Sequence, residues 1–260
     1  MSSKQLTIVK IGGNVIDNDV DLQEFLVKFN ALQGNKILVH GGGKLADRLL
    51  KELGIEPKKI DGRRITDGDT LKVVTMVYAG LVNKGIVASL AAMNCNAIGL
   101  SGADINAVPA SMRPKTPIDY GFVGDVNTQS INANGIKNLI ESGFVPIFCS
   151  ITHDGNGQLL NTNADTMASV LAIAMSKQYK VNLVFCFEKD GVLANVDDDN
   201  SIIPIINGTS LQQLVKDGIV EGGMMPKIEN ALKAVEQGVE KVIIKHAKNL
   251  DNDRETTIQR

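Results

Sequence analysis

Two stretches decide the fold: Leu6-Thr7-Ile8-Val9-Lys10-Ile11-Gly12-Gly13 and Lys36-Ile37-Leu38-Val39-His40-Gly41-Gly42-Gly43. Each is a short apolar run, the length of a buried strand, that ends in glycine. A helix-length segment follows each, 21–33 after the first and 44–53 after the second, where Gly54 supplies a helix C-cap. Strand, helix, strand, helix is the rhythm of a mostly parallel sheet covered by helices on both faces.

The rhythm continues outward. A long helix over 69–93 keeps Val73, Val74, Val77, Tyr78, Leu81 and Val82 on one apolar stripe. Further strands are expected at 97–100, 145–149, 181–187 and 241–245, and helices over 132–142, 164–176, 210–217 and 226–236. Three prolines within 109–117 predict a loop. A polar segment near 176–180 marks a boundary, dividing the chain into 1–177 and 178–260.

Composition narrows the class. Of 260 residues, 43% are apolar and 22% charged, which is globular and excludes wholesale disorder. The 27 basic and 29 acidic residues leave a charge of −2, so the basic surplus of a general nucleic-acid binder is missing. Unbroken apolar runs such as Val242-Ile243-Ile244 are far shorter than the ~20 residues of a membrane span. Met1 to Leu6 leads straight into a strand with no room for a signal peptide, so a cytoplasmic location is expected. Cys95, Cys149 and Cys186 are odd in number and far apart, and no zinc-binding spacing occurs. Asp197-Asp198-Asp199-Asn200 lacks the spacing of a calcium loop and reads as a solvated turn.

Four glycine-marked turns carry the chemistry: Gly12-Gly13, Gly41-Gly42-Gly43, Asp190-Gly191 and Gly222-Gly223-Met224-Met225. Glycine lets a backbone approach an anion and aim N–H groups at it, and open α/β sheets bind ligands beyond the carboxyl ends of their strands. Lys10 stands at the end of an apolar strand, where an unpaired charge is costly. Lys227, at a helix start, opposes the helix dipole unless an anion sits there. Asp165, in the polar run Asn161-Thr162-Asn163-Ala164-Asp165, serves either the helix dipole or the lysines. Arg64, in Gly62-Arg63-Arg64-Ile65-Thr66, has the side chain best shaped to clamp a carboxylate, though adjacent arginines also suit an exposed turn. Gly41 to Ala46 fits the dinucleotide pattern G-x-G-x-x-A, while Leu45 rules out a Walker A loop.

In this order, these motifs together with Asp119-Tyr120-Gly121-Phe122-Val123-Gly124 resemble the amino acid kinase family, and within it the branch acting on acylated glutamate. The resemblance implies a three-layer αβα sandwich with a mostly parallel sheet and ATP-dependent phosphorylation of the side-chain carboxylate of an N-acyl-L-glutamate. The acyl group is expected to be acetyl, as in arginine biosynthesis, with succinyl as the alternative; Arg113 and Lys115 are the cations nominated for a succinyl carboxylate. By the same resemblance Lys10, Asp165 and Lys227 are catalytic, Asp165 organising the lysines. Gly42, Gly43, Arg64 and Asn161 bind the substrate, the Arg64 segment forming a mobile hairpin lid. Gly12, Gly13, Asp190, Gly191, Gly222, Gly223 and Met225 line the phosphates and nucleotide. The part to residue 177 would hold the acyl-glutamate and form a homodimer through the long helix, and 178–260 would hold ATP, with Mg²⁺ carried on it. Only nine residues precede Lys10, so arginine feedback through an extra N-terminal helix is not expected. Phe187 is a departure, because the family usually has Ser or Thr there. Two other readings stay open at this point: an NAD-dependent oxidoreductase using the Gly41 turn, and a non-catalytic amino-acid sensor.

Overall fold

The structure is a computed structural model and describes residues 4–60, 62–195, 197–220 and 225–260. The chain opens with β1 (Gln5–Ile11), the one-turn α1 (Gly13–Ile16), α2 (Asp19–Ala31), β2 (Asn35–His40) and α3 (Gly43–Glu52). A small hairpin follows, β3 (Lys59–Ile60) against β4 (Arg63–Arg64). Next, α4 (Gly68–Thr75) runs through a π-helical stretch, Met76–Val82, into α5 (Asn83–Ala92). Then come β5 (Ala97–Leu100), a β6–β7 ribbon (Ala110–Met112 and Gly124–Val126), α6 (Ala133–Glu141), β8 (Val145–Cys149), a β9–β10 ribbon (Ile151–His153 and Leu159–Asn161) and α7 (Ala164–Met175). The last part holds β11 (Lys180–Phe187), β12 (Ile205–Ile206), α8 (Gly208–Lys216), α9 (Met225–Glu236), β13 (Lys241–His246) and β14 (Thr256–Ile258).

Eight strands make one sheet, ordered β12-β14-β13-β11-β1-β2-β8-β5. All its pairings are parallel except β13 with β14. Strand side chains alternate between faces, and that alternation builds two cores. Leu6, Ile8, Ile37 and Val39 pack with Leu171 of α7 and Ile228 of α9. Val9, Ile11 and Leu38 pack with Phe25 and Phe29 of α2 and Leu50 of α3. Burying each such side chain contributes about 1.5–3 kcal/mol. The result is helix, sheet, helix. Residue 177 falls in the turn between α7 and β11, and β1 joins β2 to β11 across that point in one sheet.

Two elements differ from the sequence reading. Residues 109–117 are not all loop, because Ala110–Met112 pairs with Gly124–Val126. The prolines at 109, 114 and 117 lie outside the three paired residues, so none removes a ladder donor. Leu81 is not part of the buried stripe. The π-helical stretch shifts the register and leaves Leu81 at 66% and Met76 at 55% exposure, while Val77, Tyr78 and Val82 stay buried. The continuous helix Gly68–Ala92 is also long and apolar enough to cross a membrane. Here Val73, Val74, Ile86 and Leu90 of that helix are buried in the second core.

Candidate active site

Strands β1, β2 and β11 are parallel neighbours, so their carboxyl ends meet at one edge of the sheet, with Ile11 beside both His40 and Cys186. Helices α3 and α7 start at the same edge: a Cβ on Gly41 would lie 3.9 Å from Ala164, the first residue of α7. Three clefts open there, of about 500, 170 and 650 Å³.

Lys10 is even-numbered on β1, like Leu6 and Ile8, and so faces α7. Its Nζ pairs with Asp165 Oδ1 at 2.7 Å. Only 8% of Lys10 is exposed, so the pair answers the cost of burying an ammonium. Asp165 sits in the first turn of α7, where Asn163 caps the helix by accepting from the Thr166 N–H at 2.9 Å. Lys227, in the first turn of α9, is exposed, and its Nζ stands 4.2 Å from the centre of the Phe187 ring. Lys227 and Phe187 border both larger clefts; Gly12, Gly13 and Gly191 line one, and Asp165 the other.

The smallest cleft is bordered by Gly42, Gly43, Arg64, Tyr78 and Asn161. Arg64 is buried, contrary to an exposed turn, because α3 supplies its partners. Its Nη1 pairs with Asp47 Oδ1 at 2.5 Å and its Nη2 donates to the Gly43 carbonyl at 2.9 Å. Lys59 holds the other Asp47 oxygen. Burial pushes the Asp47 carboxyl up, but the bonds from Lys59 and Arg64 outweigh it and hold it below the usual carboxylate value. Arg64 Nε is buried without a partner. An unmet buried donor beside a cleft is a ready place for an anion. Asn161 donates through Nδ2 to Thr66 Oγ1 at 3.0 Å, which joins β10 to the Arg64 segment.

The turn between them is fixed from below. His40 is fully buried, and burial lowers its pKa to about 4, so the ring is neutral at pH 7. Asn83 Nδ2 donates to the Ile147 carbonyl at 2.9 Å and to His40 Nε2 at 3.0 Å. That leaves the ring proton on Nδ1, which donates to the Gly41 carbonyl at 2.8 Å. A Cβ on Gly42 would come within 2.9 Å of the Tyr78 ring, so glycine is needed for close packing there.

The sequence-derived residues thus divide. Lys10, Asp165, Lys227, Gly12, Gly13 and Gly191 converge at one end, and Gly42, Gly43, Arg64 and Asn161 at the other. Asp190 turns away onto Arg254 and onto Asn249, whose Nδ2 donates to it at 2.7 Å. Met225 packs against the first core, and Gly222 and Gly223 lie outside the described residues. Arg113 is engaged by Asp125, with Nε 3.0 and 3.1 Å from the two carboxylate oxygens. Lys115 faces Asp119 at 3.8 Å on the surface. Sequence reading missed Asp47, Tyr78, Asn83 and Lys59. Asp47 lies on α3 close to the glycine turn, a weak signal; the others are brought in only by the fold. Among the described residues no three His, Cys, Asp or Glu side chains converge to hold a metal ion.

A mostly parallel sheet whose strand ends gather glycine turns, paired lysines and a buried arginine defines an α/β phosphotransferase for small anions. The chain belongs to the amino acid kinase family, whose pattern matches residues 5–246. It is 49% identical over 257 residues to the acetylglutamate kinase of Phocaeicola vulgatus, covering 99% of each chain, and 51% identical over 248 residues to that of Cytophaga hutchinsonii, covering 95% of this chain and 93% of the relative. Among solved structures, smu.665 from Streptococcus mutans superposes with a TM-score of 0.77 at 29% identity over 98% of both chains. Carbamate kinase from Giardia lamblia bound to AMP-PNP shares the fold, with a TM-score of 0.69 at 15% identity over 99% of both chains.

Proposed function

We propose that the protein transfers the γ-phosphoryl group of ATP to the side-chain carboxylate of N-acetyl-L-glutamate, giving ADP and N-acetyl-L-glutamyl 5-phosphate in arginine biosynthesis. One observation carries the residue assignments: a buried guanidinium with a free Nε at one end of the glycine turns, and two lysines with Asp165 at the other. Those are a grip for a carboxylate that stays and a grip for a phosphoryl group that moves.

A glutamate side chain ionises near pKa ~4.3, so the nucleophile is already a carboxylate at pH 7 and no general base is needed. One carboxylate oxygen bonds to the γ-phosphorus as the bond to the β–γ bridging oxygen breaks, and ADP leaves with those electrons. Lys10 and Lys227 balance the charge on the transferring group, and the amides of Gly12, Gly13, Gly42 and Gly43 supply donors. Asp165 orients Lys10. Arg64 and Asn161 hold the α-carboxylate of the substrate, with Arg64 Nε as the open donor. Gly191 borders the nucleotide. Magnesium would come bound to ATP through phosphate oxygens and water. The N-terminal part to 177 holds the acyl-glutamate and 178–260 the nucleotide. Exposed Met76 and Leu81 on the long helix support a homodimer through that face, and the setting is cytoplasmic.

Acetyl is favoured over succinyl because both cations nominated for a second carboxylate already face an acid: Arg113 is engaged by Asp125, and Lys115 lies 3.8 Å from Asp119 on the surface. A hydroxylamine trap for acyl phosphate, run with ATP and N-acetyl-, N-succinyl- and free L-glutamate, tests the function. The expected result is hydroxamate from the acetyl compound with the highest kcat/KM. A value about tenfold higher for the succinyl compound would overturn the acyl assignment.

A further inference from the structure

The proposed reaction leaves one aromatic side chain at the site without a role. Phe187 ends β11, and its ring lies under two ammonium groups at once, Lys227 Nζ at 4.2 Å and Lys10 Nζ at 5.9 Å from the centroid. Both distances fall inside the ~6 Å range over which a ring face attracts a cation. The ring is itself anchored. Phe185, two residues back on the same face of the strand, stacks on it with centroids 5.9 Å apart and planes 15° from parallel.

We infer that Phe187 is a positioning residue whose ring seats Lys10 and Lys227 together before the phosphoryl group arrives. The inference rests on the proposed function, in which those lysines grip that group. Two like charges drawn to one place repel, and among the described residues Asp165 pairs with Lys10 alone. A second carboxylate between them would hold the pair but would compete with the phosphoryl oxygens for the same N–H groups. A π face attracts each ammonium without taking its hydrogen bonds, so both remain ready to donate to the phosphoryl oxygens. The seat also lies where the two larger clefts meet, since Phe187 and Lys227 border both.

The test is progressive fluorination of residue 187 in the full-length enzyme, replacing Phe187 by its mono-, di- and trifluoro analogues. Fluorine withdraws charge from the ring face and keeps its shape, so a merely packing role would not respond. The expected result is a stepwise fall in kcat, reaching about tenfold across the series, with KM for N-acetyl-L-glutamate unchanged. Phe187→Leu should lose a similar factor, and Phe187→Tyr, which keeps the π face, should restore most of it. A flat series in an enzyme that makes acyl phosphate overturns the role of the ring alone. A wild-type enzyme that makes none overturns the proposed function, and this inference with it.

Discussion

The site holds two cationic groups built in opposite ways. Arg64 is 6% exposed and tied at two nitrogens to Asp47 and the Gly43 carbonyl. Lys227 is exposed and rests on a ring. On the proposed function, the difference follows from what each would hold. An α-carboxylate does not change during that reaction, so a guanidinium held rigid through its two Nη atoms, with Nε left open, would recognise it at low entropic cost. A phosphoryl group moves from one oxygen to another, and a single-point ammonium on a flexible stem can follow it. Lys10 lies between these extremes, buried like Arg64 but single-pointed like Lys227, and Asp165 is the partner that makes the burial possible.

The largest effect should come from the mobile end. Lys227→Ala and Asp165→Ala are each expected to cut kcat by about 10²-fold or more, because charge placed around the transferring group is lost. Circular dichroism should stay native for Lys227→Ala, whose side chain is exposed. Near wild-type turnover in either variant would remove the contrast between the two ends.

A smaller effect belongs to the rigid end, and it should appear in KM. Arg64→Ala is expected to raise KM for N-acetyl-L-glutamate by roughly ten- to a hundredfold, with little change for ATP. Arg63→Ala should do little, since the partners that fix the fork, Asp47 and Gly43, belong to Arg64. Equal effects from the two arginines would contradict the placement of Arg64.

The smallest effect concerns the support under the glycine turn. Burial lowers the His40 pKa in the folded chain to about 4 from its ordinary 6.5. The unfolded chain therefore binds the proton more readily between those values. The stability that comes from a neutral His40 is complete above pH 6.5 and is lost as pH falls toward 4. Going from pH 7 to 5.5 should cost about 1 kcal/mol, read as a drop in Tm, and His40→Gln should flatten that slope. An unchanged slope in the variant would show that His40 does not carry it.

Much of this was legible because the signals are local. Lys10 at a strand end, the glycine turns, and the cap-and-acid pattern of Asn163 and Asp165 each depend on residues close in sequence. The buried network was not legible. Asp47 meets Arg64 only because α3 packs beside the β3–β4 hairpin, and Asn83 reaches His40 only from the interior of a long helix, where α5 begins. The exposure of Leu81 was hidden for another reason: a 3.6-residue period cannot anticipate a π-helical stretch. Phe187 stood out in sequence as a departure, but its meaning lies in two lysines that come from opposite ends of the chain.

The most direct test of the two-ended account is calorimetric titration of N-acetyl-L-glutamate into the wild-type enzyme, Lys227→Ala and Arg64→Ala. The account predicts that Lys227→Ala binds the substrate within about twofold of wild type despite its lost turnover, whereas Arg64→Ala binds at least about tenfold more weakly. Equal weakening in both variants, or unchanged binding in Arg64→Ala, would contradict it.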